Sequence, residues 1–408
     1  MPQASPQGGR PWMGGIRANW DIFCTVIDNF GDIATCWRLA RLLADEHGQY
    51  VRLWVDDLAT MQRLVPATRT DLAGQHIDGI EVRHWTSDFP PVQPARVVIE
   101  AFACTLPEGY VAAMREVRPL WINLEYFSAE DWVAGCHGLP SMQRDGQGKY
   151  FFFPGIQPGT GGLLRERGLL AARDAFMADA SLRARWCEAW GIPAPVEDGL
   201  ALSLFTYEHP ALPVMLRELV EAPRPVSVYV PAGRSLNSVR EAFPDSTLTP
   251  GTSTIDGSLH LHVIPFLPQA EYDRLLWLCD VNFVRGEESL TRAIWSGRPF
   301  IWHIYPTEDM AHLDKLDAFV GVYAGHAPSG SEPFAAMMRA WNEEALNPGE
   351  EAPSWWSSLE QLRERAPWFG ARSRQLAQTD DLATQLVNFA VAHYNAPVKQ
   401  PLSPSGTD

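Results

Sequence analysis

The chain has 408 residues, 46% hydrophobic and 20% charged, with a formal net charge of −16. That length exceeds one ordinary hydrophobic core and implies two domains. The negative charge argues against nucleic acid, whose binding rests on cationic contacts to phosphate, and no apolar run approaches the roughly 20 residues that span a bilayer.

Residues 1–17 carry Pro and Gly where a signal peptide needs an apolar core, and they read as a flexible tail. The chain is therefore expected in the cytoplasm. The first patterned stretch is WDIFCTVIDNFGDIATCWRLARLL, Trp20 to Leu43. It predicts a buried strand over Asp21–Ile27, a loop Asp28-Asn29-Phe30-Gly31 and a helix opening at Asp32. Further strands are predicted at Tyr50–Val55, Ile80–Trp85, Ala95–Ala103 and Pro119–Tyr126. These runs are β-branched and aromatic, as parallel strands buried on both faces tend to be. With a helix at Gly109–Val117, they describe a doubly wound α/β domain over residues 18–195.

A Gly/Pro-rich connection follows, FFFPGIQPGTGGLLRE, Phe151 to Glu166. Gly159, Gly161 and Gly162 read either as a phosphate-binding nest or, more simply, as a flexible loop. Helical patterns run from Leu169 to Trp190, and Gly191–Gly199 marks a boundary. The alternation then restarts, with strands at Ala201–Tyr207, Pro225–Gly233, Leu259–Phe266, Asp280–Gly286 and Arg298–Tyr305. Helices begin at the prolines after His209, at Gln269 and at Glu287, the last closed by Gly297. This is a second doubly wound domain, over 196–370. A final helix, 371–395, is expected to pack back on the first domain, and 396–408 to form a disordered tail. Two Rossmann-like domains facing across a cleft with such a returning helix is the GT-B arrangement of glycosyltransferases. The pattern alone fits equally a sugar-nucleotide epimerase, a glycosyltransferase with a small-molecule acceptor, or a non-catalytic nucleotide-sugar-binding protein.

Six cysteines form no CxxC pair and read as buried thiols, and the histidines show no ligand-like cluster. No metal or cofactor is expected. With only three lysines in the chain, any phosphate must be held by arginine and backbone N–H groups. In an open α/β sheet ligands bind at the carboxyl ends of strands, where Asp28 and Asp32 fall. The plain reading makes Asp32 a first-turn acid of its helix and Asp28 a turn residue. The chemical reading is that paired carboxylates suit a guanidinium, whose fork they can grip. With a pKa above about 12, that group attacks only if a carboxylate takes its proton as the new bond forms.

The second cluster is Asn282 to Ser289. A strand end and Gly286 lead into a helix opened by Glu287, Glu288 and Ser289. A helix N-terminus offers free N–H groups and positive potential to a diphosphate. Arg285 adds charge, and Glu287 is suited to sugar hydroxyls. Phe205, Tyr207 and Phe266, the last just before Gln269, sit near strand ends. There they either stack on a base or sugar or belong to the core.

The stretches CTVIDNFGD, VIEAFAC, NLEYFSAEDWV, FFFPGIQPGTGGLLRE and NFVRGEESLTRAIWSGRPFIWHIYP together resemble the protein-arginine rhamnosyltransferases that modify bacterial elongation factor P. The resemblance runs from about Trp20 to Tyr394. It implies a GT-B fold and inverting transfer of L-rhamnose, without a metal, from dTDP-β-L-rhamnose to one arginine of elongation factor P. That modification activates the factor to relieve ribosomes stalled at proline runs. It implies Asp32 as general base with Asp28 as its partner. Donor contacts are implied at Asn29, Phe30, Gly31, Phe205, Tyr207, Phe266, Gln269, Arg285, Glu287, Glu288 and Ser289. Where the family pattern reads Arg-Gly-Glu-Asp-Ser, Glu288 replaces the aspartate here.

Overall fold

The computed structural model describes residues 19–27, 30–325, 331–343 and 354–396. Asp28, Asn29, the expected tail 1–17 and all but Ala396 of the expected tail 396–408 lie outside the described residues.

The first half builds β1 (Asn19–Cys24), α1 (Gly31–Asp45), β2 (Tyr50–Val55), α2 (Leu58–Leu64), β3 (Gly74–Ile77), β4 (Ile80–His84), β5 (Val97–Ala101), α3 (Glu108–Val117), β6 (Leu120–Leu124), α4 (Val133–Cys136), β7 (Pro140–Met142) and β8 (Gly148–Phe152). Its eight strands run in the order β3-β4-β2-β1-β5-β6-β8-β7. The central strands are parallel, and β3 and β7 close the two edges as antiparallel hairpins. The strand expected over Asp21–Ile27 starts at Asn19 and stops at Cys24. The reason is local. The N–H groups of Val26 and Ile27 leave the ladder and donate to the carboxylates of Asp56 and Asp32, both at 2.9 Å.

The second half builds α5 (Leu169–Ala178), α6 (Ala180–Trp190), β9 (Leu200–Leu204), α7 (Ala211–Val220), β10 (Val226–Pro231), α8 (Ser235–Ala242), β11 (Ser253–Asp256), β12 (Leu259–Ile264), α9 (Gln269–Leu278), β13 (Val281–Arg285), α10 (Gly286–Ser296) and β14 (Phe300–His303). Its strand order is β11-β12-β10-β9-β13-β14, antiparallel only at β11. The described helices that follow are α11 (Ala311–Ala324), α12 (Glu332–Asn342), α13 (Trp355–Glu364), α14 (Ala366–Leu376) and α15 (Leu382–Asn395).

Two differences from the sequence reading concern what packs where. Helices α5 and α6 precede the expected boundary at 195, yet Leu169, Phe176 and Trp186 lie in one core with the second sheet. The single helix expected over 371–395 is two. Helix α14 buries Phe369 and Leu376 in the second core, while α15 buries Leu382, Ala383, Leu386 and Ala390 in the first. The break is enforced by Asp381, whose carboxylate caps α15 through the N–H groups of Ala383 and Thr384.

The Gly-rich connection packs closely against this crossing. The Gly161 N–H donates to the Phe153 carbonyl at 2.7 Å, and a side chain there would overlap the Phe152 ring. Gly162 has φ +74°, and a Cβ on it would lie 2.7 Å from the Asp380 carbonyl, against the turn that launches α15. Gly162→Ala should therefore cost about 2 kcal/mol or more, from left-handed strain and this close approach. Urea unfolding checks it, and wild-type stability in the variant would contradict the assignment.

Candidate active site

Each sheet has one place where chain order reverses. In the first it lies beside β1, flanked by β2 and β5; in the second beside β9, flanked by β10 and β13. A crevice opens at the carboxyl ends of such strands. Here the two crevices face each other. Helices α1 and α10 spring from them, and Gly31 and Gly286, their first residues, border the same two clefts.

The first cleft has about 690 Å³ of empty space, part of it open to solvent, and is largely apolar, with Phe30, Phe205, Phe266, Tyr272 and Arg285 in its wall. Phe30 and Phe266 meet across the domains with centroids 4.8 Å apart, and the Arg63 guanidinium lies about 5 Å from both rings. The Arg285 guanidinium is buried 4.8 Å from the rings of both Phe205 and Tyr207. Cation–π attraction orients it at the N-terminal end of α10. Tyr207 sits deeper than the sequence suggested, packed against Arg285, Arg234, His303 and Tyr305. Ser289 is a buried residue of α10 that lines the same cleft.

The second cleft, about 1460 Å³, holds the charge: Asp32, Glu130, Arg234, Glu287 and Lys315, with Tyr126 and Tyr305. Asp32 is only 2% exposed. It occupies the first turn of α1, but Phe30 is the N-cap residue and makes no side-chain cap. The Asp32 carboxylate instead accepts from the Ile27 N–H at 2.9 Å and from the Tyr126 hydroxyl at 3.1 Å. Glu287, expected to address sugar hydroxyls, uses one oxygen on Lys315 Nζ and the other on the Phe127 N–H, both at 2.6 Å. A carboxylate has about four acceptor positions, so half remain for a ligand. Burial, with the nearby Asp32 charge, raises the Glu287 pKa, and Lys315 opposes that rise.

Gln269 and Glu288, expected among the donor contacts, have a second duty. Gln269 donates to the Ala34 carbonyl of α1 at 2.7 Å and to Glu288 at 3.3 Å. The Glu288 carboxylate accepts from Arg38 Nε at 2.9 Å. Arg38 also pairs with Glu166 of the connection, and Arg292 pairs with Glu166 and, through both ends of its guanidinium, with Asp273. Burial alone would raise the Glu166 pKa. Arg292 and Arg38 outweigh it and hold the carboxyl well below its usual range. Thus Glu288 ties the domains together where the first cleft meets the second.

Sequence reasoning missed Tyr126, Lys315, Arg38 and His303. Tyr126 lies at the carboxyl end of β6 inside the quoted stretch NLEYFSAEDWV, so its position was a usable signal. Lys315 is one of three lysines, a rarity that pointed to it without placing it.

Two doubly wound domains whose switch-point crevices face each other make the GT-B arrangement of glycosyltransferases, and that is the class of this chain. The model of the family described as Elongation-Factor P (EF-P) rhamnosyltransferase EarP matches residues 20–391. The protein-arginine rhamnosyltransferase of Pseudomonas aeruginosa is 46% identical over 378 residues, covering 91% of this chain and 98% of that protein. That of Neisseria meningitidis is 36% identical over 381 residues, covering 91% and 97%. A solved structure described as the structural basis for EarP-mediated arginine glycosylation of translation elongation factor EF-P is 33% identical. It superposes with a TM-score of 0.64 and covers 91% of this chain and 98% of that one. The chain belongs to the EarP family. Among the described residues, no helix is long and apolar enough to cross a membrane.

Against the Tyr207 ring, His303 is held neutral. Burial, then His209 and the Arg285 and Arg234 charges, bring its pKa from 6.5 down to about 3. Between those values the unfolded chain binds a proton that the folded chain refuses. The stability it allows is complete above pH 6.5 and is lost as pH falls toward 3. Its share of the loss should approach about 1.4 kcal/mol per pH unit below 6.5. Denaturant unfolding at pH 7, 6 and 5 should show a shallower pH slope in His303→Gln than in wild type. Equal slopes would contradict the assignment.

Proposed function

We propose that the chain transfers L-rhamnose from dTDP-β-L-rhamnose to one arginine side chain of elongation factor P, with inversion at the anomeric carbon. The observation that carries this reading is the buried Asp32 carboxylate. It lies in a charged cleft that communicates, past Gly31 and Gly286, with an aromatic cleft in the facing domain. Family membership and the names of its relatives support the sugar and the acceptor.

In this reading the thymidine occupies the cleft lined by Phe30, Phe205 and Phe266. The diphosphate rests at the N-terminus of α10, where free N–H groups and Arg285 meet its charge. Rhamnose extends past Gly286 toward Glu287. The acceptor guanidinium enters the second cleft and donates to Asp32. One guanidinium nitrogen attacks C1. As that bond forms, the C1–O bond breaks, and its electron pair leaves with dTDP. The proton of the attacking nitrogen passes to Asp32, and no group besides donor and acceptor is consumed. Asp28 is the partner of Asp32 and Asn29 a donor contact in this proposal. The Lys315–Glu287 pair keeps an acid ionised beside the sugar. The reaction is assigned to the cytoplasm, where translation factors act.

The test is the intact mass of unmodified elongation factor P after incubation with the chain and dTDP-rhamnose. Addition of one deoxyhexose is expected. Absence of that addition while the donor binds would refute the proposal. Asp32→Asn should abolish transfer and leave donor affinity, read by calorimetry, within about twofold. Glu287→Ala should weaken donor binding about tenfold or more, the loss of one or two hydrogen bonds to a charged group. A large fall in donor affinity in Asp32→Asn would instead assign that acid to the donor.

A further inference from the structure

Tyr126 is half-exposed in the charged cleft, and three features show that it is held there. Its hydroxyl donates to Asp32 at 3.1 Å. Its ring lies flat on Phe102, with centroids 4.5 Å apart and planes 15° apart. Phe102 and the next residue, Ala103, both have positive φ, at +57° and +54°. Two successive side-chain-bearing residues in the left-handed region are strained, and such strain persists only where surrounding structure enforces it.

The enforcing contacts come from β6, the strand that leads to Tyr126. The Phe102 N–H donates to the Leu124 carbonyl at 2.7 Å, and the Ala103 N–H to the Asn123 side chain at 3.3 Å. The strained turn stands at the carboxyl end of β5, beside β1, at the reversal point of the first sheet. Its effect is to lift the Phe102 ring off the end of the sheet and under Tyr126.

We infer that Tyr126 is a positioning residue for Asp32, presented by the strained Phe102–Ala103 turn. The inference rests on Asp32 being the base of the proposed transfer. With Oδ2 fixed by the Ile27 N–H and Oδ1 by Tyr126, the plane of the carboxylate is set. A hydroxyl donating to Oδ1 also favours the ionised carboxylate over its protonated form. Among the described residues, the other charged groups lining that cleft are Glu130 from the first domain and Arg234, Glu287, Glu288 and Lys315 from the second, with His312 also in the wall. The Cys24 thiol lies close enough to sense the Asp32 charge. All of these are unchanged when only the Tyr126 hydroxyl is removed.

Tyr126→Phe keeps the ring on Phe102 and deletes the donor. We expect kcat to fall about 10- to 100-fold, the scale of a small misplacement of a reacting group, with the donor KM unchanged. The acid limb of the kcat/KM profile should move upward by about 0.5 to 1 pH unit, as the carboxylate loses a donor to its charged form. A variant with wild-type kcat and an unmoved acid limb overturns the inference. So does a loss of activity that tracks only a lowered melting temperature. A 13C-NMR titration of the Asp32 carboxyl, assigned by its absence in Asp32→Asn, needs no turnover. Its midpoint should rise in Tyr126→Phe whether or not the wild type transfers rhamnose, and an unmoved midpoint overturns the inference by itself. If the wild type transfers no sugar but the midpoint rises, the proposed function fails and the coupling stands.

Discussion

The geometry of this molecule depends on a buried ion network where its two domains meet. Arg38 of α1, Glu166 of the connection, and Asp273, Glu288 and Arg292 of the second domain interlock at that contact. Leaving one partner of such a network unpaired costs about 3–5 kcal/mol. Alternative packings of the two sheets are therefore strongly disfavoured, even though the network adds little beyond what apolar packing would give. What it determines is orientation. Arg38 lies less than two turns beyond Asp32 on α1, and Glu288 directly follows Glu287 on α10. The bond between Arg38 and Glu288 thereby sets where the two cleft acids, Asp32 and Glu287, stand.

The other interdomain contacts follow from that placement. Gln269 reaches the α1 backbone, Glu287 takes the Phe127 N–H, and Phe30 rests on Phe266. Each uses a residue that also borders a cleft, so the cleft walls and the domain contact share side chains. A ligand entering the aromatic cleft must reckon with the Phe30–Phe266 contact, and one reaching Glu287 must use the acceptor positions that Lys315 and Phe127 leave. Binding at either cleft is thus felt at the domain interface through the same few residues.

Much of the fold was legible because parallel strands buried on both faces write themselves as continuous apolar runs. β2 falls at Tyr50–Val55 and α10 ends at Gly297, as read from the sequence. The end of β1 was not legible, since the carboxylates that draw Val26 and Ile27 off the ladder are Asp56, thirty residues on, and Asp32. The split between α14 and α15 was written locally, in Thr379-Asp380-Asp381, but was hidden by apolar residues that continue the helical period on both sides. At the clefts, strand ends and the Gly286 turn marked loops that border them. The partners of the acids were not marked. Tyr126, Lys315 and Arg38 come from elements distant in sequence, and only the fold gathers them. Glu288 shows the converse: its place in the motif was plain, but its bond to Arg38 spans 250 residues.

The proposed reaction is a single displacement in which a carboxylate of the first domain takes the proton while a guanidinium displaces dTDP. The most direct measurement is the one-bond carbon–proton coupling at C1 of rhamnose on the modified arginine, with the β-configured donor as reference. An α-linked product is the predicted result. A β-linked product would require two displacements at C1 or a front-face path, and would contradict the role given to Asp32.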